Sequence, residues 1–453
     1  MNTFSDILIK NRYKYIAAIF FISLNLISQD QYFQQEVNYK IRVSLNDNKH
    51  ELSAFEEIKY INNSVTSLSY IYFHLWPNAY KNHNTALARQ LLENGETNFY
   101  YSKPEERGFI DSLDFKVNGK TVKVEYNEEN IDICKLILNE PIRSHDTIII
   151  STPFHVKLPD AKFSRLGHTE QAYYITQWYP KPAVFDNKGW HQMPYLNQGE
   201  FYSEFGSFDV SITVPQNYLL AATGDRIDAF EEEEWINMKV AETEALIKAN
   251  RLINQKSKFP ESSSDKKTIR FMQSNVHDFA WFADKRFHVL RDKVKLPGSG
   301  RMVDTWVYFT DNEAELWKKS LEYVDDATLF YSYFIGDYPY NHVTAIDGVI
   351  AAGGGMEYPN ITVIGSSSND FTLETTIMHE VGHNWFYGIL GSNERDFPGM
   401  DEGINSFYEM RYIQAKYPGK KLTSLFDKDS TFKFLGLNKF PHKESYKLAY
   451  LLS

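Results

Sequence analysis

Cysteine is nearly absent from this chain, which has one, Cys134, among 453 residues. A single thiol cannot form an intramolecular disulfide, so the fold must depend on its hydrophobic cores rather than on covalent cross-links. Cys134 lies in an alternating apolar run, and this position predicts a small buried strand residue.

An excess of positive charge is also lacking, because the formal net charge is −11 and the sequence shows no basic stripe. This balance argues against nucleic acid as a partner. The hydrophobic fraction of 43% and the charged fraction of 24% are typical of a globular protein. A chain of this length is expected to form two or three domains with sizeable cores.

Apolar runs long enough to span a membrane are missing as well. One shorter run covers residues 15–27 and follows Lys10, Arg12 and Lys14. This arrangement is typical of an export signal, with cleavage after Ser28. We therefore predict a signal at residues 1–28 and a mature protein that is periplasmic, at the cell surface or secreted, with no stable membrane span. An uncleaved N-terminal anchor is the alternative.

Two regions follow the signal, and together they predict an α+β fold. Residues 29–284 show short alternating runs separated by turn residues, which indicate an antiparallel β domain. Asn118-Gly119 marks a two-residue hairpin within it. A helical and linker insertion is expected at about residues 229–267, starting with four consecutive glutamates. Residues 285–453 mix short strands with helical spacing, which indicates a mixed α/β domain.

The strongest chemical signal is an H-E-x-x-H motif at residues 379–383, followed after eighteen residues by Glu402. His379 and His383 are four apart on a predicted helix, which Asn369 or Asp370 caps and which has Glu374 in its first turn, so both imidazoles can reach one metal ion. A second helix is expected to begin near Asp401 and to stop before Tyr417. Glu402 would supply a third ligand from this helix and leave the fourth position open, as catalytic zinc requires. Glu380 lies beside the first histidine, where it can take a proton from a metal-activated water.

A glycine-rich strand edge precedes this motif. Gly354 and Gly355, with Met356 and Glu357 directly after them, lie where a peptide backbone could approach closely and bind as an added strand. A carboxylate at Glu357, if it lies near the zinc, would bind a free α-ammonium and restrict cleavage to the first peptide bond. A surface carboxylate on a turn is the alternative interpretation of Glu357.

Gly354-Gly355-Met356-Glu357, the H-E-x-x-H motif and Glu402 together resemble the aminopeptidase N family of zinc metallopeptidases, which includes the leukotriene hydrolases. The resemblance implies a saddle-like β domain followed by a thermolysin-like catalytic domain over residues 29–453. It implies one zinc ion held by His379, His383 and Glu402, with Glu380 as general base. It also implies substrate contacts through Glu357 and, from the segment that begins Gln177-Trp178, through Gln177.

The sequence departs from the family pattern in two places. Tyr358 stands where the family usually has asparagine. The family's oxyanion tyrosine lies further beyond the glutamate ligand than this chain extends, and the late tyrosines Tyr446 and Tyr450 both come early. We therefore expect a catalytic domain that is incomplete at its C-terminus and lacks the family's C-terminal helical domain. Loss of one oxyanion donor typically lowers the rate ~100- to 1,000-fold.

These features predict an exported zinc aminopeptidase that acts on peptides. A zinc endopeptidase or an epoxide-opening hydrolase on the same scaffold is the alternative within enzymes. A non-catalytic peptide-binding homologue is the alternative from another class, because the oxyanion tyrosine is not accounted for. The sequence predicts neither the oligomeric state nor the preferred side chain.

Overall fold

A computed structural model describes residues 32–351 and 353–418. The predicted export signal at residues 1–28 and the two late tyrosines, Tyr446 and Tyr450, lie outside the described residues. The architecture is α+β, as predicted, with mostly antiparallel sheets in the first part and a mixed sheet flanked by helices in the second.

The first part has nineteen strands and two α-helices among the described residues. The strands are β1 Glu36–Asn46, β2 Glu51–Ile61, β3 Leu68–His74, β4 Phe109–Asp111, β5 Lys116–Val117, β6 Lys120–Thr121, β7 Lys123–Tyr126, β8 Ile133–Ile142, β9 Thr147–Lys157, β10 Gly167–Thr169, β11 Ala172–Ile175, β12 Lys181–Pro182, β13 Val184–Asp186, β14 Gly189–His191, β15 Gly206–Pro215, β16 Leu219–Ala222, β17 Asp225–Ile227, β18 Lys266–Val276 and β19 Trp281–Asp284. The helices are α1 Ala86–Glu93 and α2 Phe230–Lys248.

The second part is shorter. Its strands are β20 His288–Lys295, β21 Met302–Phe309, β22 His342–Asp347, β23 Gly355–Tyr358 and β24 Ile361–Ile364. Its helices are α3 Ala314–Trp317, α4 Ser320–Phe334, α5 Asp370–Phe386 and α6 Ile404–Lys416, and a π-helical turn, Gly399–Gly403, leads directly into α6.

A large twisted sheet forms the centre of the first part, in the order β17-β18-β15-β1-β2-β9-β5-β6, with β4 also paired to β9. Alternating residues of β1 are buried, from Val37 to Leu45, because one face of the strand packs on the core. The pairing of β1 with β15 is parallel, which is an exception to the antiparallel pattern predicted for this region. The remaining strands form smaller antiparallel sheets against it.

The hairpin predicted at Asn118-Gly119 is present, with β5 and β6 on either side. Both turn residues have positive φ, 49° and 77°, which a two-residue turn matched to the strand twist requires. The second strand is shorter than expected, because residues 123–126 pair with β8 as β7 instead. Helix α2 lies between β17 and β18, two strands that pair directly with each other.

The sheet of the second part has the order β20-β21-β22-β24-β23. Strands β21, β22 and β24 run parallel, whereas β20 and β23 are antiparallel edge strands. Strand β22 is buried along its whole length, as expected for a central parallel strand covered on both faces. The glycine-rich edge therefore becomes β23, at the open side of the sheet.

Helix α5 follows β24 and begins after Asn369, whose side chain accepts a hydrogen bond of 3.1 Å from the backbone N–H of Thr372. Glu374, expected in the first turn of this helix, lies further along and is buried. Its carboxylate accepts a hydrogen bond from Tyr412 Oη at 2.5 Å and pairs with Lys416 at 2.8 Å. Glu374 therefore ties α5 to α6.

No helix within the described residues has the length and hydropathy needed to cross a lipid bilayer.

Candidate active site

Helix α5 presents both motif histidines on one face, and the π-helical turn brings a carboxylate to the same point. His379 Nε2 lies 3.1 Å from His383 Nε2 and 3.2 Å from Glu402 Oε2. Ligands bound tetrahedrally to zinc at about 2.0–2.1 Å stand about 3.3 Å apart. The three atoms are therefore spaced for one zinc ion.

The other nitrogen of each histidine contacts a carboxylate. Glu409 Oε2, on α6, lies 3.2 Å from His379 Nδ1, and Asp401 Oδ1 lies 2.5 Å from His383 Nδ1. A carboxylate at Nδ1 accepts the N–H there, so each neutral imidazole presents an unprotonated Nε2 to the shared point. This donor set, two nitrogens and one carboxylate with both rings oriented, fits a zinc ion.

The protonation of this cluster follows from burial and from the charges around it. Burial disfavours the charged form of His383, but the carboxylates of Asp401, Glu357 and Glu402 together outweigh it and raise the pKa of His383 to about 10. Burial likewise opposes the charged form of Glu402, yet the hydrogen bond with His379 and the charges of His379 and His383 together lower the pKa of Glu402 to about 2. The carboxylates thus favour positive charge at this point, whether from protons or from a metal ion.

Glu380 lies next to His379, His383 and Glu402, which we call the metal triad. Its side chain is almost completely buried. Its Oε2 is buried with no hydrogen-bond partner among the described residues. Burial raises the pKa of Glu380 to about 7, against the opposing effect of His379. A carboxylate with such a pKa can accept and return a proton near neutral pH.

Gly355 on β23 makes room for Glu380. A Cβ atom added at Gly355 would lie 2.5 Å from the Glu380 carboxyl carbon, much closer than van der Waals contact. The edge strand and the motif helix approach this closely only because residue 355 has no side chain.

The triad opens into a cavity of about 390 Å³. The cavity is lined by the glycine-rich edge, by α5 and α6, and by two residues of the first part, and its residues are Arg165, Glu200, Gly353, Gly354, Gly355, Met356, Glu357, Thr375, Thr376, His379, Glu380, His383, Glu402 and Glu409. All the predicted site residues except Gln177 therefore lie at one cavity.

Glu357 also lies beside the triad. One of its carboxylate oxygens lies within 4.8 Å of ligand atoms of His383 and Asp401. Its Oε1 is buried without a hydrogen-bond partner in the described residues. Burial is the main cause that raises the pKa of Glu357 well above its usual value. Such a carboxylate is stabilised by a cation that enters the cavity.

Gln177 lies elsewhere. It has a positive φ of 47° and is buried, and its side-chain amide exchanges hydrogen bonds of 3.1 and 3.2 Å with Tyr358 Oη. The two positions that the family resemblance singled out, the amide and the tyrosine in place of asparagine, therefore contact each other. The structure does not bring Gln177 to the cavity wall.

Three charged loop residues at or beside the cavity went unrecognised in the sequence, as did Glu409 on α6. Glu200 and Arg165 form an ion pair of 3.1 Å in the wall, and Arg165 also donates to Met356 Sδ at 3.0 Å. Glu394 has a carboxylate oxygen within 4.8 Å of those of Glu200 and Glu357. All three lie on loops, where no periodic pattern marks them. Glu409 could have been identified from the sequence, because it follows Glu402 by seven residues, which correspond to two helical turns.

No family model and no curated protein matches this sequence. Solved structures do match. The M1 zinc metallopeptidase from Deinococcus radiodurans and a glutamate-to-alanine mutant of it each have a TM-score of 0.54 at 14% identity, over 90% of this chain and 76% of theirs. A two-domain M1 zinc metallopeptidase mutant bound to L-arginine has a TM-score of 0.52 at 13% identity, over 86% of this chain and 73% of its own. The chain therefore has the fold of the M1 zinc metallopeptidases, and the predicted resemblance to the aminopeptidase N family is confirmed at the level of the fold.

Proposed function

We propose that the protein is a zinc-dependent aminopeptidase that removes N-terminal residues from peptides. The observation that carries this proposal is the position of Glu357, an unpartnered carboxylate within 4.8 Å of the metal-facing histidine His383. A carboxylate so close to the metal triad leaves space for about one residue between a bound α-ammonium and the scissile carbonyl.

Each group has a separate task. His379, His383 and Glu402 would hold the zinc, which when bound polarises the scissile carbonyl and acidifies a water molecule. Glu380 takes the proton of the attacking water and passes it to the leaving amine. Glu357 binds the substrate's α-ammonium, and Gly354 and Gly355 let the peptide backbone lie against the edge of β23.

We also propose that the protein acts outside the cytoplasm. The support comes from the sequence alone, in the basic residues Lys10, Arg12 and Lys14 and the apolar run at residues 15–27. Fractionation of cells that express the full chain, with N-terminal sequencing of the exported form, tests this point. Recovery of an intact N-terminus only from the cytoplasm would contradict it.

The catalytic assignment is tested by Glu380→Gln. This substitution removes the proton acceptor and keeps the shape of the side chain, so the variant should bind zinc one-to-one and lose hydrolysis of aminoacyl dyes at least ~1,000-fold. Zinc content is measured by atomic absorption on the same preparation. Hydrolysis near the wild-type rate in a fully zinc-loaded variant would rule out Glu380 as the base.

A further inference from the structure

Asn360 lies in the two-residue turn between β23 and β24, directly after the glycine-rich edge that the proposed function uses. Its φ is 52°, and Pro359 precedes it. A type II turn favours proline at its first central position and requires a positive φ at the second, where asparagine is tolerated. The turn therefore follows from the local sequence. The burial of Asn360, which is 0% exposed, does not, because turn residues normally lie at the surface.

The backbone N–H, the backbone carbonyl and both ends of the side-chain amide of Asn360 are hydrogen-bonded, each to a different segment of the chain. The N–H donates to Asn384 Oδ1 on α5 at 2.9 Å, and the carbonyl accepts from the N–H of Thr344 on β22 at 3.0 Å. The side-chain Oδ1 accepts from the backbone N–H of Gly224 at 3.0 Å, and Nδ2 donates to Gln273 Oε1 on β18 at 2.9 Å. Asn360 thus joins the end of β23 to the motif helix, to the sheet and to the first part.

The hairpin of β23 and β24 is held close to α5 near both ends of its first strand. At one end, a Cβ atom added at Gly355 would lie 2.5 Å from the carboxyl carbon of Glu380. At the other end, Asn360 donates to Asn384. Glu380 and Asn384 are four residues apart, so they lie on one face of α5, about 6 Å apart along its axis. The two contacts together fix the position of Glu357, which lies between them, relative to the zinc ligands on that helix.

We propose that Asn360 is a positioning residue that holds the glycine-rich edge at a fixed distance from the metal triad and ties that distance to the first part. This inference rests on the proposed function and adds to it a residue that acts on the substrate only through Glu357. Loss of the Asn360 amide leaves the buried N–H of Gly224 without its acceptor, which favours rearrangement of the turn. A misplacement of about 1 Å in such an edge is enough to lower the rate ~100-fold.

The test is Asn360→Gly, which keeps the positive φ and removes the side-chain amide. The zinc-loaded variant should hydrolyse an alanyl dye with a kcat lower by about 10- to 100-fold, at an unchanged zinc content. Asn275→Gly is the matched control, because Asn275 also has a positive φ, 56°, but is exposed, and it should keep the wild-type kcat. Gln273→Ala removes one bond from the first part without altering the turn, so it should lower kcat by a smaller factor, about threefold to tenfold.

Hydrogen exchange of the zinc-loaded proteins, followed by mass spectrometry, reports on the edge without any substrate. The amides of residues 355–358 should exchange about tenfold faster in Asn360→Gly than in the wild type, and at the wild-type rate in Asn275→Gly. This measurement separates the inference from the proposed function. Faster exchange in Asn360→Gly, in a protein whose wild type hydrolyses nothing, would support the positioning role while the proposed function fails.

Unchanged exchange at residues 355–358 in Asn360→Gly would overturn the inference, whether or not the protein is active. An unchanged kcat in an active protein would overturn it as well, because the edge would then not need to be held. If Asn360→Gly does not fold, Gln273→Ala decides by the same two measurements.

Discussion

Two carboxylates that are not metal ligands determine which histidine nitrogens face the metal. Glu409 and Asp401 accept hydrogen bonds at Nδ1 of His379 and His383. Each fixes the tautomer and the plane of its ring, so both Nε2 atoms converge before any ion binds. Preorganisation of this kind lowers the cost of assembling the site and raises the basicity of the ligands.

Asp401→Asn should therefore lower zinc affinity by about 10- to 100-fold, because the amide can no longer act as an anionic acceptor for the His383 N–H. The affinity is measured by competition with a chromogenic chelator at fixed pH. Asp396→Asn, five residues earlier on an exposed loop, serves as the control and should bind zinc like the wild type. Unchanged affinity in Asp401→Asn would show that Asp401 does not orient the ligand.

Gly355→Ala tests the approach of the edge strand to the base. The added methyl group would lie 2.5 Å from the carboxyl carbon of Glu380, so the base must move. We expect a fall in kcat of about 100-fold with one zinc ion still bound, because the ligands are untouched. In Gly353→Ala the nearest atom is the carbonyl oxygen of Gly355 at 3.9 Å, so its loss should be much smaller. Similar rates in the two variants would contradict the steric argument.

At the scale of elements, helix α5 depends on a close packing contact at Gly382. Asn405 of α6 donates to the carbonyl oxygen of His379 at 2.7 Å and accepts from Tyr331 Oη at 2.8 Å. This bridge joins α4, α5 and α6 directly beneath the metal ligands. A Cβ atom at Gly382 would lie 2.5 Å from Tyr331 Cζ, so any larger residue separates the three helices.

Gly382→Ala should accordingly destabilise the protein by about 1–3 kcal/mol through overpacking, although alanine favours a helix. Denaturant unfolding of the zinc-free protein measures the change without a contribution from metal binding. The double variant of Gly382→Ala and Tyr331→Phe lacks the crowded hydroxyl, so it should recover part of the lost free energy of unfolding. A strictly additive double mutant would indicate that the two residues do not interact.

The sequence predicted the elements whose pattern is local. The cap at Asn369, the end of α6 before Tyr417 and the hairpin at Asn118-Gly119 all follow from residue types at fixed offsets. Glu374 was placed wrongly because its partners, Tyr412 and Lys416, come from another helix.

His379, His383 and Glu402 could be predicted for the same reason. The two histidines share one helix, and a fixed spacing in the sequence relates the glutamate to them. Glu200 and Glu394 were not, because each is brought to Glu357 by a loop whose path depends on tertiary contacts. Arg395 illustrates such a contact, as its Nε donates to the backbone carbonyl of Glu200 at 2.8 Å and links the two loops. A long-range contact of this kind leaves no periodic signature in the sequence.

At the scale of the whole molecule, the first part contributes directly to the cavity of the second. Arg165 and Glu200 form part of its wall, and the ring of His277 packs 4.0 Å from that of Tyr387, just beyond α5. The β-rich region is therefore a component of the site as well as a support for it.

Buried histidines of the first part should make stability depend on pH. Burial lowers the pKa of His74 to about 3, so the unfolded chain takes up this proton at higher pH than the folded one. Stability should fall as the pH drops from about 6.5 towards 3, by about 1.4 kcal/mol per pH unit for this residue. His74→Gln should flatten the dependence relative to wild type, as measured by denaturant unfolding between pH 4 and 7. The control His145→Asn, at an exposed turn, should leave the pH dependence of stability unchanged. A pH dependence in His74→Gln as steep as that of the wild type would contradict the prediction.

We propose that the cavity binds the free N-terminus of a peptide and places its first carbonyl at the zinc ion. The ratio of kcat/KM for a short peptide and for its N-acetylated form, measured with the zinc-loaded full chain, tests this binding. We expect the free peptide to lose its first residue and the acetylated peptide to react at least ~100-fold more slowly, with the difference reduced in Glu357→Gln. Equal cleavage of both peptides, or cleavage at an internal bond, would contradict the account and favour an endopeptidase.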